Sequence, residues 1–123
     1  MKSPREIVMD LWKAMEARDW STLESLLAPS FESVFPQSGE RFDRAGYLRL
    51  NREYPGDWHI QMTSIIENSE CVVTEIDVEI DGRTDRAISF FYVHEGKIAT
   101  LREYWPEPFA IPQWRQGWAL PTS

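Results

Sequence analysis

The sequence predicts an α+β protein in which three N-terminal helices pack on a curved antiparallel sheet. Three observations support this fold class. Helix-capping patterns and helical spacing occupy the first part of the chain, whereas alternating strand patterns occupy the second. Two X-Gly turns, Asp81-Gly82 and Glu95-Gly96, connect the last strands into a meander. With 123 residues, 42% of them hydrophobic, we expect residues 1–123 to form a single domain.

The three helices are predicted from their caps. Ser3 to Glu6 reads as a capping box with Pro4 at the first helical position, and apolar residues follow at helical spacing. A second capping box at 21–24 predicts a short helix that Pro29 ends close to Ala28. Asp43 is expected to cap a third helix that runs to about 54, before Pro-Gly breaks it.

The strands follow from alternation and turn residues. We predict a strand at 31–35, a turn at 37–40 that returns through Arg41, and a long strand at 58–67. Further strands are expected at 71–80, 83–93 and 97–105. Four prolines follow Trp105, so residues 106–123 are predicted to be an irregular tail rich in Pro and Trp, acting as a lid or clasping a dimer partner.

Composition excludes several classes of function. The net charge of -7 argues against nucleic acid and against anionic membranes as partners. Cys71 is the single cysteine, and no apolar run has the length of a signal peptide or a membrane span, so we expect a cytoplasmic protein. No metal-ligand spacing, Gly-rich phosphate loop or Ser-centred elbow is present. We therefore expect no metal and no cofactor.

The two hairpins predict a row of side chains across three strands. Because two-residue X-Gly turns pair their flanking residues, Glu75 should face Ile88, and Ile88 should face Glu103. The two glutamate backbones would then lie roughly 10 Å apart, close enough for both carboxylates to reach one ligand. Apolar neighbours would raise the pKa of a carboxyl there, which would supply an acid and a base. Glu75 and Glu103 are therefore the candidate catalytic residues.

An alternative interpretation of this row is structural. The face that carries it can be solvated or form a wet dimer interface, with Glu75, Asp77 and Glu79 as its polar stripe. On the same face Asp77 is expected opposite Arg86, as an ion pair that steadies the sheet.

The order of elements resembles a known superfamily. The first helix ends in Ala17-Arg18-Asp19-Trp20, and the last strand reads Gly96-Lys97-Ile98 through Arg102-Glu103-Tyr104-Trp105. This pattern resembles the nuclear transport factor 2-like superfamily, and most of all its SnoaL-like, ketosteroid isomerase-like branch, over about residues 3–106. The resemblance implies a cystatin-like α+β roll with a conical cavity for a small hydrophobic ligand, and a homodimer that forms through the sheet.

The resemblance also argues against one activity. Threading places the catalytic tyrosine of steroid isomerases at Leu11, their base aspartate at Phe35 and their oxyanion aspartate at Ile88. Because all three groups are absent, the chain is not expected to be a standard ketosteroid isomerase. The same threading implies that Ile88 faces the cavity with Leu101 and Trp105, and that Arg102 and Tyr104 lie on the opposite face, at a dimer interface together with Ile76, Val78, Phe91, Val93, Ile98, Thr74 and Ser89.

The predicted ligand-binding residues are taken from these faces and from the helices: Trp12, Phe35, Asn51, Trp58, Ile88, Phe90, Leu101 and Trp105. Asn51 falls where steroid isomerases have a pocket tyrosine, although it can equally be an exposed helix residue. The expected function is acid-base isomerisation, cyclisation or hydrolysis of a cyclic or polyketide-like molecule. The alternative is a non-catalytic module for ligand binding or dimerisation.

Overall fold

A computed structural model describes residues 2–121 of the chain. The helices are α1 (Pro4–Ala17), α2 (Trp20–Leu26) and α3 (Arg44–Arg52), with a 3-10 helix at Gln113–Arg115. The strands are β1 (Leu27–Phe35), β2 (Glu40–Asp43), β3 (Trp58–Glu67), β4 (Val72–Ile80), β5 (Arg83–His94) and β6 (Lys97–Tyr104). They form one sheet in the order β2-β1-β6-β5-β4-β3. The α+β prediction is confirmed, but the sheet is mixed, because β1 and β6 are parallel.

The helix starts are set by side-chain caps. In α1 the predicted capping box is present, with the Glu6 amide donating to the Ser3 hydroxyl at 3.2 Å. The predicted Ser21 cap is wrong, because Asp19 caps α2 by accepting from the Thr22 amide at 3.2 Å. Asp43 caps α3 as predicted, through the Gly46 amide at 2.8 Å. Each cap satisfies an amide that the helix itself leaves unpaired.

Strand β1 begins earlier than predicted. It starts at Leu27, directly after α2, and contains Pro29, which was expected only to end the helix. The pairing of β1 with β6 is interrupted between Leu27 and Glu32. Pro29 therefore lies in an interrupted part of the ladder, where a residue without an amide hydrogen is tolerated.

The helices cover one face of the sheet, here called the inner face. Its side chains form the core with the helices: Trp12 of α1 meets Phe91 edge-on at 5.9 Å between ring centroids, and Phe31 meets Tyr47 of α3 at 5.1 Å. The fully buried strand residues include Ile76, Ala87, Phe91, Ile98 and Leu101. The core thus lies between the inner face and the three helices.

The two meander hairpins differ in register. Both turns have positive φ at both central residues, as the X-Gly sequences predict. The β4–β5 hairpin pairs Glu75 with Ile88, as predicted. In the β5–β6 hairpin Val93 pairs with Ile98 and Tyr92 with Thr100, so that an extra residue of β6 forms a bulge at position 99.

The bulge overturns the second half of the predicted row. Ile88 pairs with Tyr104, and Ser89 pairs with Glu103. Because a slip of one residue moves a side chain to the other side of a sheet, Glu103 lies on the inner face, whereas Glu75 and Ile88 lie on the outer face. The prediction that Ile88 faces Glu103 is therefore wrong.

Among the helices formed by residues 2–121, none is long and apolar enough to cross a membrane.

Candidate active site

A pocket of about 960 Å³ lies between the inner face and helices α1 and α3. Its deep part is aromatic and aliphatic, while charged side chains of the β1–β2 and β4–β5 hairpins stand at its rim. The deep lining includes Trp12, Met15, Phe35, Tyr47, Asn51, Trp58, Ile76, Val78, Glu103 and Trp105. The rim includes Gln37, Glu40, Arg83, Asp85 and Glu107.

Glu103 is the buried carboxyl of this pocket, with only 4% of its surface exposed. Its Oε2 accepts a hydrogen bond from the Ser89 hydroxyl at 2.6 Å, and its Oε1 accepts one from the indole Nε1 of Trp105 at 3.0 Å. Burial raises the pKa of Glu103, although both hydrogen bonds favour the charged form. No Lys, Arg or His among residues 2–121 forms an ion pair with it.

Glu103 belongs to a buried polar row across the inner face. Ser89 of β5 pairs with Glu103 of β6 on one side and with Thr74 of β4 on the other, and both hydroxyl residues are fully buried. The Trp12 indole donates to the Thr74 hydroxyl at 3.2 Å, which fastens α1 to the sheet. Buried polar groups are stable only when they are hydrogen-bonded, so this row fixes the floor of the pocket.

Helix α3 contributes two polar groups to the wall. Tyr47 is 2% exposed, and burial, assisted by the nearby charge of Glu103, raises the pKa of its phenol well above the ordinary value. The Tyr47 hydroxyl therefore stays protonated and can donate a hydrogen bond. Asn51 lies one turn later, and its side-chain amide donates to the Tyr47 carbonyl at 2.9 Å.

One side wall of the pocket, formed by Trp58, is fixed by a contact with Arg18. The Arg18 guanidinium stacks 3.3 Å above the Trp58 ring and donates to the Trp58 carbonyl, so that this indole has a fixed orientation. The neighbouring His59 points away from the pocket, with its Nδ1 at 2.9 Å from the Glu16 carboxylate. The hydrogen bond that the His59 ring donates to the Glu16 carboxylate raises the pKa of His59. His59 therefore helps to connect β3 with α1.

Five of the predicted ligand-binding residues line this one pocket: Trp12, Phe35, Asn51, Trp58 and Trp105. Their role in binding stays a prediction. Leu101 faces inward, as expected, but it is fully buried outside the pocket lining.

Three predicted site residues lie elsewhere. Glu75, Ile88 and Phe90 are on the outer face, because their immediate neighbours in β4 and β5 are the residues buried on the inner face. Glu75 and Glu103 thus lie on opposite sides of the sheet and cannot share a ligand. The expected ion pair of Asp77 with Arg86 is present on the outer face at 3.2 Å.

The predicted dimer face is also corrected. Ile76, Phe91 and Ile98 were expected at an interface, but they are fully buried beneath the helices. Val78, Thr74 and Ser89 are buried on the same inner face, with Val93 packed at its margin. Arg102 and Tyr104, which were expected to share that face, lie on the outer face, where Arg102 stacks 4.5 Å from the Phe90 ring.

Sequence reasoning did not identify Ser89 and Tyr47 as members of the site. One signal of the bulge was available: Ile98 and Leu101 are both apolar and three residues apart, which breaks the two-residue alternation of a regular strand.

In the described part of the chain, no cluster of His, Cys, Asp and Glu has the arrangement of a metal site.

Comparison with known proteins agrees with this geometry. The SnoaL-like domain family matches residues 8–101, and the chain belongs to that family. The predicted SnoaL-like branch of the nuclear transport factor 2-like superfamily is thereby confirmed. No curated protein matches the sequence.

Several solved structures are similar to the whole fold. A candidate ketosteroid isomerase from Kribbella flavida DSM 17836 is 26% identical, with a TM-score of 0.90 over 97% of this chain and 89% of that one. An NTF-2 like protein of unknown function from Burkholderia xenovorans LB400 is 26% identical, with a TM-score of 0.79 over 97% and 94% of the two chains. IdmH, a candidate polyketide cyclase from Streptomyces antibioticus, is 18% identical, with a TM-score of 0.71 over 83% and 91%. The last similarity concerns the fold alone.

Proposed function

We propose that the pocket binds a small, largely apolar cyclic or polyketide-like molecule and that Glu103 exchanges a proton with it. The observation that carries this proposal is the buried Glu103 carboxyl, which lines the pocket, accepts hydrogen bonds from Ser89 and Trp105, and has no cationic partner among the described residues. A structural carboxylate in a core is normally paired with a cation, so this arrangement favours a chemical role.

The chemistry follows from the environment of Glu103. Its raised pKa lets the carboxyl hold a proton at a higher pH than an exposed glutamate can. The neutral form can donate to a carbonyl or epoxide oxygen, and the ionised form can remove a proton from a carbon beside a carbonyl. The aromatic walls would hold the rings of the ligand, while the neutral Tyr47 phenol offers a hydrogen-bond donor. This describes a cofactor-independent isomerase or cyclase.

Cyclic ketones are the first substrates to test, a choice supported by similarity to the candidate ketosteroid isomerase of Kribbella flavida. The measurement is deuterium exchange of 2-tetralone beside its carbonyl in heavy water, followed by proton NMR. We expect the wild-type protein to accelerate exchange and Glu103→Gln to remove at least ~100-fold of that acceleration, the usual contribution of a positioned acid or base.

Glu75→Gln is the matched control, because Glu75 is the exposed glutamate on the opposite face. It is expected to exchange 2-tetralone at the wild-type rate. Equal rates in wild type and Glu103→Gln would contradict the proposal.

A second function, binding without turnover, is favoured by one observation: both Glu103 oxygens already accept hydrogen bonds inside the protein. In that case 2-naphthol would quench the fluorescence of the pocket tryptophans with the same affinity in wild type and in Glu103→Gln, and neither protein would accelerate exchange.

A further inference from the structure

The charged groups of the pocket leave an excess of carboxylates for a ligand to meet. Within residues 2–121 two arginines line the pocket, but Arg83 pairs with Asp85 at 3.2 Å and Arg86 pairs with Asp77 at 3.2 Å. The other lining carboxylates form no ion pair with a Lys, Arg or His of the same residues: Glu40, Glu103 and Glu107. The positive charges of the pocket are thus already neutralised, whereas these three negative charges are not.

The pocket tryptophans offer a ligand their ring surfaces. Each indole N–H is already used inside the protein: Trp12 donates to the Thr74 hydroxyl at 3.2 Å, Trp58 to a backbone carbonyl at 3.3 Å, and Trp105 to Glu103 at 3.0 Å. An indole nitrogen has one hydrogen to donate, so these three cannot also serve an anion or a carbonyl. The faces of the rings carry partial negative charge, which attracts cations.

The polar groups in the deep part of the pocket are mainly acceptors. Oε2 of Glu103 accepts from Ser89 and Oε1 accepts from Trp105, but a carboxylate oxygen can accept two hydrogen bonds. The Asn51 amide nitrogen donates to the Tyr47 carbonyl, and no hydrogen bond within residues 2–121 ends on the Asn51 Oδ1. The free acceptors of this lining therefore outnumber its one free donor among the described residues, the Tyr47 hydroxyl.

We propose that the pocket selects a hydrophobic ammonium ion, a ring compound with a protonated amine, whose charge pairs with Glu103 while its rings lie against the tryptophans. A buried carboxylate is costly unless a cation accompanies it, and such a ligand supplies the cation that the protein itself does not. The net charge of -7 also draws cations toward the molecule. The inference rests on the proposed function only in taking this pocket as the ligand site.

An ammonium ligand would change the protonation of Glu103. Burial raises the pKa of this carboxyl in the empty pocket. A positive charge beside it favours the ionised form, so a bound ammonium would lower that pKa again. The ligand would therefore hold Glu103 ionised, as the negative partner of an ion pair.

Three ligands of one shape and different charge test the inference: 2-aminotetralin, 2-tetralol and tetralin-2-carboxylate. Their dissociation constants are measured with wild-type protein at neutral pH by isothermal titration calorimetry. We expect the ammonium to bind at least ~10-fold more tightly than the alcohol, as a hydrogen bond to a charged group usually allows, and the carboxylate to bind most weakly. Equal affinities of amine and alcohol, a preference for the carboxylate, or no binding of the amine would overturn the proposal.

Two variants then assign the preference to one carboxylate. Glu103→Gln keeps the shape of the side chain and removes its charge, so it should lose the preference for 2-aminotetralin over 2-tetralol. Glu75→Gln removes an exposed charge on the opposite face of the sheet and should retain the preference. A preference that survives in Glu103→Gln would overturn the proposal. If that variant binds neither ligand, the order of the three ligands in wild type decides.

The ammonium preference and the proposed proton transfer can fail separately. A protein that accelerates 2-tetralone exchange but binds the amine no better than the alcohol would refute the ammonium preference alone. A protein that prefers the amine through Glu103 but accelerates no exchange would refute the proton transfer alone.

Discussion

The two hairpins of the meander begin with the same chemistry and end differently. Both use an X-Gly turn with positive φ at both central residues, but β4–β5 continues in regular register whereas β5–β6 contains the bulge at Ala99. The consequence is that Glu75 lies exposed on the outer face and Glu103 lies buried on the inner face. A turn sets the pairing only up to the first irregularity in a strand, and one extra residue in β6 turns Glu103 toward the pocket.

The largest expected effect comes from removing the irregular residue. Deleting Ala99 would restore a regular β5–β6 register and turn Leu101 and Glu103 toward the outer face. Because this exposes a fully buried leucine and drives Arg102 and Tyr104 into the core, we expect the free energy of unfolding to fall by more than ~4 kcal/mol. Urea unfolding followed by circular dichroism measures it, with Ala99→Ser as the length-preserving control. If the deletion variant were as stable as wild type, that result would contradict the presence of the bulge.

Truncation of a side chain should destabilise the protein more on the inner face of the sheet than on the outer face. Phe91 is fully buried on the inner face, so Phe91→Ala is expected to cost about 3–5 kcal/mol of unfolding free energy. Ile88→Ala, on the outer face at 37% exposure, should cost about 1 kcal/mol or less. Urea denaturation followed by circular dichroism compares the two variants. Similar losses in both variants would mean that the faces are wrongly assigned.

The pH dependence of stability sharpens the contrast further. The pKa of Glu103 is raised in the folded state, so between its unfolded value, near 4.5, and its folded value the native protein holds a proton that the unfolded chain has lost. Stability from this group is therefore present below pH 4.5 and is lost as the pH rises through the folded pKa. Glu103→Gln should gain stability relative to wild type over that rise. A difference between the unfolding midpoints of wild type and Glu103→Gln that stays constant from acid to neutral pH would contradict this.

A smaller effect separates the two hydroxyls of the polar row. Ser89→Ala removes a hydrogen bond to the charged form of Glu103 and should raise the pKa of Glu103 further. Thr74→Val removes a hydroxyl that accepts a hydrogen bond from the Trp12 indole, so it should leave the pKa of Glu103 unchanged. The pH profile of 2-tetralone exchange, measured for both variants, reports the pKa of Glu103 in each. A shift with Thr74→Val alone would show that Ser89 does not position the carboxyl.

The smallest effect is expected on the outer face. Asp77 and Arg86 form a largely exposed ion pair, and such pairs typically contribute about 0.2–1 kcal/mol. Asp77→Asn should therefore change the urea midpoint only slightly, and less at high salt. A loss as large as that of Phe91→Ala would indicate that this face is buried in the isolated chain.

Much of the fold could be predicted because its signals are local. The caps at Ser3 and Asp43 and the two X-Gly turns each involve a few neighbouring residues, and the structure contains all of them. The Asp19 cap was missed because Ser21 offered a competing capping pattern two residues later.

The site was harder to predict because it depends on register between distant segments. The bulge at Ala99 brings Glu103 to the inner face, whereas Glu75 and Ile88, which were predicted to share its face, lie on the outer face. Tyr47 lies near Glu103 only because α3 packs on the sheet, and this packing leaves no pattern in the sequence. By contrast, Trp12, Trp58 and Trp105 were predicted as cavity lining from the order of elements and from the resemblance to the superfamily, and all three line the pocket.

The most direct test is a carbon-13 NMR titration of the Glu103 carboxyl, assigned by its disappearance in Glu103→Gln, with and without 2-naphthol. A buried carboxyl that exchanges protons with a ligand should titrate above the ordinary range of glutamate, and its pKa should move when the ligand binds. A Glu103 that titrates as a free glutamate does and ignores the ligand would contradict the assignment of this pocket as the active site.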